Sequence, residues 1–189
     1  VYWQFSKYIY FEKNPEIFLS NREKFVQMLQ KKATIVEREK LLRIISSKYH
    51  TTLFSNSMVD SLNNIDFRGY LDYMTEMPMA FKQSKINLNI TLRSITSGIP
   101  LRALDIMGAG GFLLSNYQPE LAMYFEDGKD MVMYESQEDL LYKIEYYLIH
   151  AEEREEIAAN GRKKVRKEYS YVKKFIEIFD IIEKEIKLA

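Results

Sequence analysis

The sequence predicts an α/β fold built on a parallel sheet, and three observations predict it. Short β-branched, aromatic or alternating runs at 49–54, 65–68, 86–90, 112–114 and 131–134 read as strands. Helical stretches separate most of these runs, a pattern that requires parallel pairing with right-handed crossovers. From residue 138 onward the chain reads as helix almost to its end. Composition agrees with one domain. The chain has 189 residues, 47% of them hydrophobic, enough to fill a core and to exclude disorder. Its 27 basic residues balance 27 acidic ones, which argues against nucleic acid, since that partner needs a basic excess. With no cysteine there is no disulfide, thiolate zinc site or Cys nucleophile, and His50 and His150 are too few for a multi-histidine metal site. No apolar run reaches the ~18 residues of a transmembrane span. No basic-then-apolar leader opens the chain. It starts without Met, which reads as a piece of a longer protein.

Residues 1–47 read as helical. Trp3, Phe5, Tyr8, Ile9 and Phe11 form an aromatic stretch that Asn14-Pro15 breaks, and a helix is expected over about 15–31. Thr34-Ile35-Val36-Glu37 fits a capping box that would open a separate helix ending near Ser47. A first strand (49–54) meets a turn at 55–57, and a second (65–68) stops at Gly69. A helix over 72–84 carries Pro78 as an awkward interior residue. The strand at 86–90 alternates Ile86-Asn87-Leu88-Asn89-Ile90. Residues 91–98 form a polar loop. Helix at 100–107, strand at 112–114 and helix at 119–125 follow. Asp127-Gly128 turns the chain into the strand at 131–134. Three helices close the chain, at 138–150, 151–169 and 171–188. The charge run Glu152–Glu156 reads as a solvated face.

Ligands of open α/β sheets bind outside the carboxyl ends of the strands. The loop after Ile90 is the richest such place: it carries Arg93, four hydroxyls including Ser97, and Gly98, and opens a helix with Pro100 in its first turn. A helix N-terminus attracts phosphate, and Arg93 and Arg102 could add bidentate contacts. Asp105 shares a helix face with Arg102. The two read either as a surface salt bridge or as an anion clamp with a carboxylate for ribose hydroxyls. Four of the seven glycines fall between 98 and 111. Gly108-Ala109-Gly110-Gly111 invites a dinucleotide fingerprint, but that motif needs a strand before it and a helix after, the reverse of the order here. These glycines read instead as a helix C-cap and tight turn. Asn87 and Asn89 either tie down neighbouring loops or reach toward a ligand. Tyr117 and Glu120 follow the next strand and could line the same crevice. Neither histidine has Ser and Asp partners for a hydrolase triad.

Several ordered motifs together resemble a known family. They are Phe67-Arg68-Gly69-Tyr70-Leu71-Asp72-Tyr73, Ser84-Lys85-Ile86-Asn87-Leu88-Asn89-Ile90-Thr91, Ser97-Gly98-Ile99-Pro100-Leu101-Arg102 and Asp105-Ile106-Met107-Gly108-Ala109-Gly110-Gly111-Phe112-Leu113-Leu114. Phe125-Glu126-Asp127-Gly128-Lys129-Asp130, Glu138-Asp139-Leu140, Glu153-Arg154 and Gly161-Arg162 extend the series. Over about residues 33–180 the chain resembles the C-terminal half of bacterial glycosyltransferases of the spore-maturation protein B (CgeB) type, with an ending similar to that of group 1 glycosyltransferases. The resemblance implies a GT-B enzyme, in which two Rossmann-like domains face each other across a cleft. Residues 1–47 would then lead from a missing N-terminal domain, 48–169 would form the Rossmann-like donor domain, and 170–189 would be a helix packing back on it. The implied donor is a nucleotide-sugar, UDP-linked, used as substrate without cofactor or metal. Its acceptor would be a glycan, protein or lipid in cell-surface or spore glycan formation, in the cytoplasm or at the membrane or spore. The fragment alone would be inactive. By the same resemblance Ser97 and Asp105 fall at donor-binding positions, with Asp105 on the ribose, and Gly69 and Tyr70 lie near the base, while the loop reading assigns Arg93, Gly98 and Arg102 to the donor phosphates and Asn89, Tyr117 and Glu120 to the cleft. Relatives of the retaining class carry Glu where this chain has Ser97. That departure supports an alternative, a non-catalytic nucleotide-binding or assembly module on the same fold.

Overall fold

The computed structural model describes residues 22–56, 62, 64–95 and 97–188. The aromatic stretch at 1–14 and the start of the helix expected at 15 lie outside them. The described chain opens with α1, Arg22–Ser46. This is one helix where two were expected. Thr34 does not cap. Its hydroxyl turns back and donates to the Gln30 carbonyl at 2.9 Å, the bond of an interior helical threonine.

Next come β1 (Thr52–Phe54), β2 (Asp66–Gly69), α2 (Met77–Gln83), β3 (Asn87–Asn89), α3 (Leu101–Ala109) and β4 (Leu113–Asn116). The chain continues through α4 (Pro119–Tyr124), β5 (Val132–Tyr134), α5 (Gln137–Ile149), α6 (Ala151–Glu168) and α7 (Tyr171–Leu188). Pro78 does not interrupt α2. It stands in the first turn, where its missing N–H is no loss. The turn before it is built by Asp72, whose carboxylate accepts from the Met74 and Thr75 amides and the Thr75 hydroxyl. His50 precedes β1 instead of lying in it.

Every named strand pair is parallel. β1 pairs with β2, and β3, β4 and β5 form a second sheet in that order, with Asn89 beside Ser115 and Asn116 beside Tyr134. Side chains alternate across the three-stranded sheet and separate two cores. Leu114, Val132 and Tyr134 pack with Leu41 and Ile45 of α1 and Leu140, Ile144 and Tyr147 of α5. Leu113 and Met133 pack on the other side with Ala103, Ile106 and Met107 of α3 and Val165 of α6. Both faces are covered, as a parallel sheet requires.

Glycine permits the sharp return from α3 to β4. Gly110 takes the left-handed conformation at φ 89°, and a Cβ on Gly111 would stand 2.7 Å from the Phe81 carbonyl oxygen. The first turn of α7 is tied to α6, by Lys173 on Glu168 and by Lys174 over the Tyr169 ring. Beyond it Phe175, Ile176, Phe179 and Ile186 are more than half exposed. The tail expected to pack back on the domain therefore presents much of its apolar face to solvent.

Candidate functional site

The carboxyl end of β3 is fixed from several directions. Asn89 is buried, and its amide donates to the hydroxyls of Thr91, at 3.0 Å, and Ser115, at 2.9 Å. Asn87 donates to the Phe81 and Phe112 carbonyls. Of the two roles open to this pair, loop fixing is what these bonds do. Asn89 therefore stands behind the loop, not on the cleft surface. Thr91 N–H donates to Asn116 Oδ1 at 2.8 Å, which joins the ends of β3 and β4. From α1, Arg38 donates through Nε (3.0 Å) and a second nitrogen to the Ile90 carbonyl. The Arg93 N–H donates to Thr34 Oγ1 at 3.0 Å, and Arg93 Nε lies 3.1 Å from the Glu37 carboxylate. Burial pulls the Arg38 pKa below its usual value.

The loop then passes Ser97 and Gly98, where φ is +87° and a Cβ would meet nothing within 4 Å. It enters α3 through Pro100, and no side chain caps that helix. Arg102 and Asp105 do not pair with each other among the described residues. The Arg102 guanidinium stacks 5.5 Å from the Phe81 ring centre and reaches Met77 Sδ. Asp105 Oδ1 accepts from the Tyr73 hydroxyl at 2.8 Å, a bond that raises the Tyr73 pKa because it favours the neutral phenol. Tyr73 thereby ties the segment after β2 to α3. That segment carries Gly69, at φ +72°, and the exposed Tyr70. Tyr73 after β2, and Met77 and Phe81 of α2, thus meet α3 at Asp105 and Arg102, whereas Arg93 is held on α1.

A cleft of about 540 Å³ opens at the carboxyl ends of β4 and β5, against α1. Tyr117 lines it together with Glu37, Lys40, Tyr134, Ser136 and Gln137. Glu120 sits apart from this lining, in the first turn of α4. The Tyr134 hydroxyl is buried and without a partner among the described residues, and burial pushes its pKa up. Sequence reasoning missed Glu37, Lys40 and Ser136. Ser136 was within reach of the strand-end rule, because it stands two residues after β5, at the N-cap of α5. Glu37 looked like a capping residue, and only the tertiary fold brings α1 to this edge. His150 is accounted for locally: Nδ1 lies 2.7 Å from the Tyr146 carbonyl and its ring stacks on Tyr146. No helix among the described residues is long and apolar enough to cross a membrane.

Parallel strands with covered faces, a polar loop at a strand end and an uncapped helix after it define a class. The fold is that of the C-terminal domains of GT-B glycosyltransferases. Residues 13–180 match the family described as glycosyl transferase-like, and the chain belongs to it. Solved structures agree at the level of fold. HepE of Anabaena, in complex with UDP and glucose, superposes with TM-score 0.62 at 12% identity, over 76% of this chain and 44% of HepE. The complex of the same protein with UDP-glucose gives 0.61 at 14% identity, over 76% and 44%. Sucrose-phosphate synthase of Thermosynechococcus elongatus gives 0.62 at 12%, over 80% of this chain and 42% of that enzyme. TarM gives 0.57 at 16%, over 82% and 32%. The chain thus spans less than half the length of each of these proteins. No curated protein sequence matches it.

Proposed function

We propose that the chain is the donor-binding half of a glycosyltransferase of the spore-maturation protein B type. It would take a nucleoside diphosphate sugar, UDP-linked, and pass the sugar to a glycan, protein or lipid acceptor held by a second domain. One observation carries the reading: the loop at the carboxyl end of β3, whose Arg93 is held by Thr34 and Glu37 of α1, leads into the start of α3, which no side chain caps and which has Arg102 in its first turn. A diphosphate leaving group gains negative charge during transfer, and helix N–H groups with guanidinium donors stabilise that charge without a metal. In this assignment Arg93, Ser97, Gly98 and Arg102 receive the phosphates, and Asp105, oriented by Tyr73, accepts from ribose hydroxyls. Gly69 and Tyr70 flank the base. The complexes of HepE with UDP and with UDP-glucose support the choice of nucleotide.

Titration calorimetry with UDP tests this. Binding at millimolar concentration or tighter is expected, and Arg102→Ala should weaken it by about 1.5–3 kcal/mol, the range for a hydrogen bond to a charged group. Absence of heat with every nucleoside diphosphate and nucleotide-sugar tried would remove the mechanism. Ser97, neutral where relatives of the retaining class place a carboxylate, favours a second reading as a non-catalytic nucleotide-binding module. Nucleotide binding by the full-length protein with no transfer or hydrolysis of any nucleotide-sugar would select it.

A further inference from the structure

We infer that α1 is a clamp that presets the loop after β3, with Thr34 and Arg38 as positioning residues and Glu37 as a releasable holder of the Arg93 side chain. The inference rests on the donor-binding reading and adds residues that lie 52 to 59 positions away from the loop in sequence. Thr34, Glu37 and Arg38 stand at i, i+3 and i+4 and so share one helix face. Thr34 is fully buried. A hydroxyl has one hydrogen to donate and lone pairs to accept with. Here the hydrogen goes to the Gln30 carbonyl and a lone pair takes the Arg93 N–H. Arg38 holds the Ile90 carbonyl with two nitrogens of a planar fork, a geometry that an ammonium does not reproduce. Together these contacts pin the backbone at Ile90 and at Arg93, the residues that bracket the exit from β3.

The Arg93 side chain is treated differently. Its ion pair with Glu37 is exposed, at 59% and 37% of the two side chains. Exposed pairs contribute little. The guanidinium can therefore leave Glu37 for a diphosphate at small cost while its own backbone stays fixed. A loop ordered before the ligand arrives loses less entropy on binding. Thr34 and Arg38 thus favour the anion, and Glu37 competes with it for Arg93.

The two roles predict opposite signs. Calorimetry with UDP should show Thr34→Val weakening binding about three- to tenfold, Thr34→Ser near wild type because it keeps the hydroxyl, and Glu37→Gln tightening binding by up to about fivefold. All are measured well below their melting temperatures. Hydrogen exchange of the Arg93 amide, which needs no nucleotide, should run at least about tenfold faster in Thr34→Val and return to the wild-type rate in Thr34→Ser. Wild type that binds UDP, with Thr34→Val and Glu37→Gln indistinguishable from it, overturns the clamp and leaves the donor reading standing. Wild type that binds no nucleotide overturns the donor reading and the role given to the clamp with it. An Arg93 amide that exchanges equally fast in wild type and Thr34→Val overturns the clamp whatever the calorimetry shows.

Discussion

Replacing Gly161 with alanine should destabilise the protein, although alanine is the better helix former. Gly161 lies inside α6 and is buried. A Cβ built there stands 2.3 Å from the Asp130 carbonyl oxygen, 3.4 Å from its carbon and 3.3 Å from Met107 Sδ. Attractive carbon contacts begin near 3.5 Å, so the closest approach is short by roughly 1 Å. Asp130 has little freedom to move aside. Its N–H bonds the Glu126 carbonyl at 2.9 Å, and its carboxylate accepts from the Glu126 N–H and from Lys164. The strain therefore falls on the packing of α6 against α3 and the turn before β5. Alanine gains about 0.8–1.0 kcal/mol of helix propensity over glycine. Overpacking costs about 1–3 kcal/mol, and a backbone obstacle belongs at the upper end. The net expectation is a loss of about 1–2 kcal/mol, or ~2–8 °C in melting temperature for a chain of this size. Urea denaturation followed by circular dichroism measures it, with an unchanged slope showing that the effect is on stability. Gly108→Ala is the internal control. Its Cβ meets Val165 Cγ1 at 3.4 Å, ordinary contact, so it should be neutral or stabilise by up to ~1 kcal/mol. A Gly161→Ala midpoint equal to or above wild type would refute the close approach.

Three further outcomes follow from single groups. Tyr134→Phe removes a buried hydroxyl that has no partner among the described residues, so thermal denaturation should show stability unchanged or raised by up to ~1 kcal/mol; a loss of that size would mean the hydroxyl is bonded after all. The Asp72 carboxyl, held down by its bonds from the Thr75 hydroxyl and amide, should titrate below its ordinary 3.8 in a carbon-detected NMR series. Because the folded pKa lies under the unfolded one, its contribution is complete above about 3.8 and disappears as pH falls through the lower folded value; a midpoint at or above 3.8 contradicts the bonding. Arg154→Met leaves the Tyr147 carbonyl without its buried donor and should cost about 1–3 kcal/mol in urea, while UDP affinity stays as in wild type; a loss of affinity at constant stability would place Arg154 in the site instead.

Local rules found what local forces decide. The order helix, glycines, strand identified Gly110 and Gly111 as a turn, and the left-handed φ at Gly110 with the crowding at Gly111 is the physical content of that pattern. The alternation at 86–90 identified β3, yet the inference that polar residues face outward would have failed there. Asn87 and Asn89 are the buried side chains of this strand, because their amides join it to α2 and β4. The reading of Thr34 failed for a related reason. Thr34 and Glu37 have the spacing of a cap, but Thr34 donates back to Gln30 inside one longer helix, and both side chains also hold Arg93, beyond the reach of any local window. The ending motif behaves in the opposite way. Gly161 admits the Asp130 backbone, Arg154 holds the Tyr147 carbonyl, and Gly128 turns the chain before β5. Each of these residues maintains architecture. A resemblance carried by them identifies a scaffold, which is why it predicted the fold. The function proposed above assigns the chemistry elsewhere, to a few side chains between Thr91 and Asp105. Exchanges at Ser97, which is exposed, should therefore alter donor choice while leaving the melting temperature almost where it was.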